Sequence, residues 1–298
     1  MNQMPQEGAW AMATSRLKFL ISLAIASSLC STATASDADK SEIHLTVGLV
    51  PVDNATAYES TIINFIHLLR QKGLGASLAR RKTIPKFTSD VRSGEIDVAI
   101  MTNFDAWRAQ RAGRVVVLGE LTGAQEAIVF SSSLSSQSFF EELSQGAILA
   151  TPPSGAMATR LAEALVCANG GRRVAQQFHA LRSHEDCFKL LDSGEVQGCL
   201  LPAMTRNTRN WDHDYPSFVL GTTPLVAMTI STKHNKETRN LVTEALIEQS
   251  KNPQFDMFYN NGVSKGWEIP GSRLSLDNRW SAIGVPLERL NLCLGEQP

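Results

Sequence analysis

The chain of 298 residues lacks the short motifs that mark the most common catalytic sites. It contains no G-x-S-x-G, no H-E-x-x-H, no phosphate-binding P-loop and no G-x-G-x-x-G, the signatures of common hydrolases, zinc proteases and nucleotide-binding proteins. It has only five cysteines and no C-x-x-C pair, so neither a thioredoxin-type redox site nor a zinc knuckle is predicted. We therefore expect no cofactor, no metal and no enzymatic activity.

An excess of positive charge is also missing. The 28 Lys and Arg residues are balanced by 29 Asp and Glu residues, which gives a formal net charge of −1. This balance argues against a nucleic acid or an anionic membrane surface as the partner. What is present is an ordinary globular composition, 43% hydrophobic and 19% charged, enough for one large domain or two lobes.

The first 35 residues have the pattern of a cleavable signal peptide. Arg16 and Lys18 precede the short apolar run 19–25, and an A-x-A motif ends at Ala35. We expect cleavage after Ala35, and the alternative is an uncleaved membrane anchor. The apolar run is too short to span a bilayer, so export of the mature chain is the expectation.

Four cysteines remain after this cleavage, namely Cys167, Cys187, Cys199 and Cys293. An even number in an exported chain predicts one or two disulfides. Four cysteines allow three complete pairings, and the sequence does not choose among them. Four buried free thiols are the alternative.

From residue 43 onward, short apolar runs alternate with helical patterns, as in an α/β protein with a mainly parallel sheet. We expect a first lobe over 42–124, a second lobe over 125–228, and a return to the first lobe with a C-terminal tail over 229–298. Two lobes joined by two crossing segments would place a binding site in the cleft between them, at the carboxyl ends of the strands.

Several segments resemble, in the same order along the chain, the type II periplasmic binding proteins, and within them the phosphonate/phosphate-binding branch of ABC importers. They are VGLVP at 47–51, VRSGEIDVA at 91–99, TPPSG at 151–155, SHED at 183–186, LLDSGEV at 190–196 and VAMTI at 226–230. The resemblance implies two Rossmann-like lobes and a monomer in the periplasm. It also implies that the cleft holds a small anionic ligand and that the partner is an ABC transporter permease.

The segment 151–155 carries the strongest expectation of a ligand site. Two prolines end a strand, and Ser154 can cap the helix that follows. The amides of Gly155 and Ala156 are then expected to be unpaired and to point into the cleft. Backbone donors at a helix N-terminus suit a phosphate, phosphonate or carboxylate oxygen.

The rest of that helix is predicted from its periodicity. Met157, Leu161 and Leu165 recur at i, i+4 and i+8 and are expected to pack against the lobe. Arg160 and Glu163 lie on the opposite side of this pattern. They are predicted to face solvent.

Other candidate ligand contacts come from both lobes. The resemblance implies a ligand-contacting histidine at His184, and the remaining candidates lie at strand ends or helix starts or form an apolar wall: Asn54, Thr56, Phe87, Asn103 and Phe104. A protonated cleft histidine would donate to an anionic oxygen.

Three alternatives stay open. A periplasmic accessory or sensor subunit with a degenerate site is favoured by Pro152 and Pro153, where relatives usually offer hydroxyls, and by Gln197, where relatives often carry an acid. A small lyase or dehydratase would use His184 and Glu185 as acid and base. A metal site would use the cluster Asp212-His213-Asp214 together with His179 or His184.

Overall fold

The computed structural model describes most of the chain after the predicted signal peptide. The described ranges are 43–51, 55–131, 133–153, 155–168, 178–203, 215–251 and 264–269, together with residue 291. Predictions that lie outside them concern the signal peptide 1–35, Asn54, Ser154, the cluster 212–214 and Cys293. The side chains of Thr56, Cys167 and His184 also lie outside the description.

The described residues form ten strands and seven helices. The strands are β1 (His44–Leu49), β2 (Gly75–Ala79), β3 (Val98–Thr102), β4 (Val115–Ser131), β5 (Leu149–Thr151), β6 (Phe178–Ala180), β7 (Gly198–Pro202), β8 (Ser217–Pro224), β9 (Val226–Ser231) and β10 (Ser264–Glu268). The helices are α1 (Ala55–Gln71), α2 (Ile84–Ser93), α3 (Asn103–Arg111), α4 (Phe139–Ser144), α5 (Met157–Ala168), α6 (His184–Ser193) and α7 (Lys236–Ser250).

The first lobe is built on β2, β1, β3, β9 and the first half of β4, in this order. β1 is parallel to β2 and β3, whereas β9 is antiparallel to β3 and β4. β10 adds to the same half of β4 in the antiparallel sense. The sheet of this lobe is therefore mixed: β2, β1 and β3 are parallel, as predicted, and β9 and β10 each pair in the antiparallel sense.

The second lobe uses the second half of β4 with β7, β5, β6 and β8. β5 is parallel to β6 and β7, while β7 and β8 are antiparallel to β4. β4 is thus one strand of 17 residues that runs through both lobes, although the apolar runs 115–121 and 125–130 on their own predict two separate strands. The return crossing is the short step at Leu225 from β8 to β9.

Local sequence explains how the first lobe is held together. Ile62, Phe65, Ile66 and Leu69 recur along α1 at i, i+3, i+4 and i+7 and are all buried, so they form the apolar face of this helix. At Gly48 in β1, a Cβ atom would lie 2.9 Å from the ring of Phe87. Only glycine allows α2 to pack this closely on the strand.

The buried carboxylate of Asp97 connects three segments of the first lobe: the start of β3, β1 and the turn after β9. Asp97, just before β3, accepts hydrogen bonds from the Thr46 amide, from Lys233 Nζ and from His234 Nε2, each at 2.7 Å. Burial opposes the charge of Asp97, but the hydrogen bonds from Lys233, Thr46 and His234 outweigh it and hold its pKa below the usual value.

The second lobe has its own core and a disulfide. Cys187 on α6 is bonded to Cys199 on β7, with a Cα–Cα distance of 5.8 Å, and both residues are fully buried. One of the predicted disulfides is therefore confirmed. The side chain of Gln197 accepts a hydrogen bond from the Ile148 amide at 2.7 Å. Both residues directly precede the amino ends of their strands, so Gln197 ties β7 to β5 there.

None of the helices in the described part of the chain combines the length and the apolar character needed to cross a bilayer.

Candidate functional site

Two helices begin at the edge where the lobes meet. α3 follows the carboxyl end of β3 in the first lobe, and α5 follows the carboxyl end of β5 in the second. In open α/β sheets, ligands bind beyond the carboxyl ends of the strands. The starts of α3 and α5 are therefore the part of the fold in which to look for a site.

The start of α3 is capped from within. Thr102 Oγ1 accepts a hydrogen bond from the Asp105 amide at 3.2 Å and donates to the Asp105 carboxylate at 2.8 Å. The pKa of Asp105 is raised by burial, although Arg160, Thr102, Arg108 and Arg92 each act to lower it. The hydroxyl of Thr102 is engaged in this cap, as expected for an N-cap threonine.

Arg160 on α5 is buried, and its predicted position in solvent is wrong. Arg160 is only 6% exposed, and its guanidinium carbon lies 5.0 Å from the centre of the Phe104 ring in the first lobe. The guanidinium carbon of Arg108 lies 5.7 Å from the same ring. Arg160 Nη1 also donates to Glu163 at 2.9 Å. A guanidinium is suited to such a place, because its flat face stacks on an aromatic ring while its edge donates hydrogen bonds.

Arg160 is buried because α5 packs on two cores at once. Leu161 and Ala162 belong to the core of the second lobe, whereas Ala164 belongs to the core of the first, with Met157 packed against it. A single apolar stripe on the helix predicted one packed face. The second face packs against the first lobe. The sequence of the helix alone does not show that this lobe lies beside it.

The loop before α5 also contacts the first lobe. Gly155 has φ of +92°, and a Cβ atom there would lie 2.7 Å from Ile84 Cγ2 on α2. We call these two contacts, Arg160 with Phe104 and Gly155 with Ile84, the interlobe contact. The Ala156 amide donates to the Pro153 carbonyl at 3.0 Å. It is therefore not the unpaired donor predicted for an anion.

Asn103, the first residue of α3, has an unusual environment. Asn103 is 0% exposed, and neither its Nδ2 nor its Oδ1 has a hydrogen-bond partner among the described residues. Buried amides are nearly always paired, because an unpaired buried group costs roughly 1–3 kcal/mol. Asn103 directly precedes Phe104, which contacts Arg160. The predicted site residue thus lies beside the interlobe contact.

Solved structures match this architecture over most of the chain. A Xanthomonas citri protein bound to chloride ion aligns with a TM-score of 0.65 at 14% identity, covering 85% of this chain and 99% of its own. A phosphonate-binding protein, PhnD1 of Prochlorococcus marinus, in complex with methylphosphonate, aligns with a TM-score of 0.62 at 14% identity, with the same coverage. The binding-protein component of an ABC phosphonate transporter from Pseudomonas aeruginosa aligns with a TM-score of 0.58 at 12% identity, covering 77% of this chain and 82% of its own.

The chain has the type II periplasmic-binding-protein fold. The predicted fold class is therefore confirmed, and phosphonate-binding proteins are among the structural relatives. No protein-family model matches the chain. No curated protein matches it in sequence either.

Within this fold, the other predicted ligand residues have different placements. Phe87 is fully buried in the core of the first lobe, and its predicted part in an apolar ligand wall stays a prediction. Phe104 is also fully buried, but it is the residue that meets Arg160. Thr56 lies in the first turn of α1, and His184 begins α6. Asn54 and Ser154 lie outside the described residues.

The described residues contain no group of three or more His, Cys, Asp or Glu side chains that could hold a metal ion. Glu185, the second half of the hypothetical acid–base pair, is exposed on α6. Two acidic or basic side chains that are adjacent on a helix point in different directions.

Proposed function

We propose that this chain is an exported solute-binding protein, which captures a small oxyanion of the phosphonate or phosphate type between its lobes and delivers it to an ABC importer. The binding-protein fold supports the proposal. So do the relatives whose structures hold methylphosphonate or chloride, since both ligands are small and anionic. The membrane permease of the importer is the proposed partner, and catalysis is not part of the role.

The observation that carries the proposal is the position of Arg160. It brings a buried positive charge from the second lobe to the N-terminus of α3 in the first. Arg108 and Arg92 also lie close enough to act on Asp105 in the same place. The positive end of a helix and a guanidinium group both favour an anion, and a guanidinium binds two oxygens of one ligand in a fixed geometry.

A ligand at this place would contact both lobes and so favour the closed arrangement. Its effect on closure equals the difference between its affinities for the closed and open forms. We propose the lobes as 42–124 with 229–298, and 125–228. Release of residues 1–35 would leave the mature monomer in the periplasm, and Gly155, Ser154 and His184 would approach the ligand from the second lobe.

The test is anion binding by the mature chain that begins at Ser36. Titration calorimetry and thermal shift with phosphate, methylphosphonate and chloride should give saturable binding of at least one anion, with a rise in melting temperature. Arg160→Met should weaken that binding at least tenfold, since it removes the charge but keeps much of the side-chain volume. Arg70→Met is the control, because Arg70 is an exposed arginine on α1 that donates to the Ala76 carbonyl away from the interlobe contact.

A second candidate function, an accessory or sensor subunit, is favoured by one structural observation. Pro152 and Pro153 offer no hydroxyl at the start of α5, and the Ala156 amide is already used by Pro153. This leaves fewer donors for an anion than the resemblance implies. If no anion binds and Arg160→Met changes only stability, the accessory role replaces the transport role, and the search turns to a protein partner.

A further inference from the structure

We propose that the chain latches its own lobes together, so that the closed arrangement is its resting state and does not depend on a ligand. The latch consists of the contacts that Gly155, Arg160 and Ala164 make with the first lobe. The inference goes beyond the proposed function, because it concerns the chain by itself and holds whether or not an anion binds. Any ligand would enter the cleft only after the latch opens.

The latch begins with apolar packing between the lobes. Ala164 on α5 is fully buried in the core of the first lobe, although the helix belongs to the second. Three further residues of this segment pack against the same core: Ala156, Met157 and Leu165. Apolar surface that one lobe buries against the other is removed from water, and this stabilises their contact. The gain comes from the chain's own atoms, so it is available without a ligand.

The charged residue of the latch is also compensated within the chain. Arg160 lies over the Phe104 ring of the first lobe and donates to Glu163 on its own helix. Asp105, in the first lobe, is close enough for Arg160 to act on its charge. A buried charge is tolerated when it is paired and hydrogen-bonded. The burial of this guanidinium between the lobes therefore does not depend on an external anion.

The two crossings between the lobes would permit opening if the latch were released. β4 exchanges its partners between Gly123, which pairs with β10, and Ala124, which pairs with β8. Gly123 has φ of +124°, a conformation open to glycine, and the other crossing is the single residue Leu225. Each lobe has its own core, so a change in a few torsions at these two points could separate them as rigid bodies. The contacts of α5 oppose that motion.

The experiment measures the distance between the lobes in the mature chain without added ligand. Spin labels are attached to genetically encoded residues at His67 on α1 and at Lys189 on α6, which are both exposed and lie one in each lobe. The native cysteines are left unlabelled. The chain is unfolded in guanidinium chloride, washed free of small molecules and refolded with its disulfide intact, so that no carried-over ligand holds it closed. Double electron–electron resonance then gives the populations of short and long distances.

Wild type should give mainly the short distance of the closed form, with roughly 10% or less of the open form. Ile84→Ala removes the side chain that lies against Gly155, and it should raise the ratio of open to closed chains about tenfold. Ile66→Ala is the matched control, because Ile66 and Ile84 are both 6% exposed in the core of the first lobe, but Ile66 lies on α1 and takes no part in the latch. It should lower stability and leave the distance unchanged.

Arg160→Met is a second, independent variant of the latch. It removes the guanidinium from the Phe104 ring and keeps much of the side-chain volume, so it should also raise the open fraction. Melting curves followed by circular dichroism show whether each variant is folded at the temperature of the distance measurement. If Ile84→Ala does not fold, Arg160→Met alone decides the test.

The outcomes separate this inference from the proposed function. A short distance in wild type that lengthens in Ile84→Ala or Arg160→Met, and not in Ile66→Ala, supports the latch. A wild type that is mostly open, and that closes only when phosphate or methylphosphonate is added, overturns the latch while the proposed function stands. A closed wild type whose latch variants are no more open than Ile66→Ala also overturns it, because closure then does not depend on α5. A latch confirmed in a chain that binds no anion leaves the inference in place and overturns the proposed function.

Discussion

The interlobe contact can be tested by adding one methyl group at Gly155. In Gly155→Ala the new Cβ would lie 2.7 Å from Ile84 Cγ2, closer than Cβ atoms in real proteins approach a neighbour. Ile84 is buried at the start of α2 and has little room to move. We expect the variant to force the loop before α5 away from the first lobe.

The cost has two parts that can be separated. Alanine at φ of +92° is strained wherever it stands, by about 1–2 kcal/mol. The contact with Ile84 adds an overpacking cost of about 1–3 kcal/mol. Gly146→Ala is the matched control, because Gly146 has φ of +110° but a Cβ there would meet nothing within 4 Å. The excess cost of Gly155→Ala over Gly146→Ala therefore measures the contact itself.

Urea unfolding and small-angle X-ray scattering are the assays. Gly155→Ala should lose about 1–3 kcal/mol more stability than Gly146→Ala, or should give a larger radius of gyration as the lobes separate. Adding Ile84→Ala should recover part of that excess in a double-mutant cycle, although Ile84→Ala alone is destabilising. Equal losses of stability for both glycine variants, with no coupling to residue 84, would refute the contact between Gly155 and Ile84.

Three further outcomes are expected. Asp97→Asn should lower the free energy of unfolding at neutral pH by about 1.5–3 kcal/mol. The pKa of Asp97 is lowered in the fold, so its stabilising effect is present above the ordinary Asp pKa and is lost as pH falls through the lowered value; unfolding curves from pH 7 to pH 2 should converge with wild type at the acid end. Replacing Cys187 and Cys199 together by Ala should cost roughly 3 kcal/mol in the unfolding of the second lobe, and reduction of wild type should have a similar effect, with no change meaning that the disulfide is dispensable. Asp105→Asn should flatten the pH dependence of stability, because the raised pKa of Asp105 makes its ionisation unfavourable above the ordinary Asp pKa; a steeper loss of stability toward high pH in the variant would contradict this.

The alternation of strands and helices was predictable because each element is encoded by its own residues. The apolar residues of α1 recur with the helical period, and Gly94 after α2 adopts φ of +79°, as a glycine at a helix end often does. Such signals need only a few neighbouring residues. They sufficed for most of the element order, with β8 missed and β4 divided into two strands, and with the quoted segments they sufficed for the fold class.

Other features depend on segments that are far apart in sequence. β8 was not predicted, yet the strand pairs with the second half of β4 from Ala124 to Phe130. β10, in the region predicted as an irregular tail, pairs with β4 at 120–123. Strand pairing with a distant partner stabilises both segments, since pairing and burial override weak local propensity.

The predictions at the site failed for the same reason. The helical period of α5 shows which face packs on its own lobe, but it does not show that a second lobe covers the opposite face. Arg160 was therefore predicted in solvent, although it lies on Phe104. A charged residue four positions before a buried small one, Ala164, is a possible signal of a second packed face. It is too common on helices to be decisive without the tertiary structure.

The contact of Gly155 with Ile84 is expected to act on closure of the lobes. Weakening it lowers the population of the closed form, and apparent affinity falls by the same fraction for every ligand that needs this form. Because Gly155 is also a proposed ligand contact, the change is better made from the first lobe, by Ile84→Ala, which leaves the loop before α5 intact. Titration calorimetry should then show one common loss of affinity for phosphate and methylphosphonate. A loss for one ligand and not the other would mean that the contact belongs to recognition of the ligand and does not act through closure.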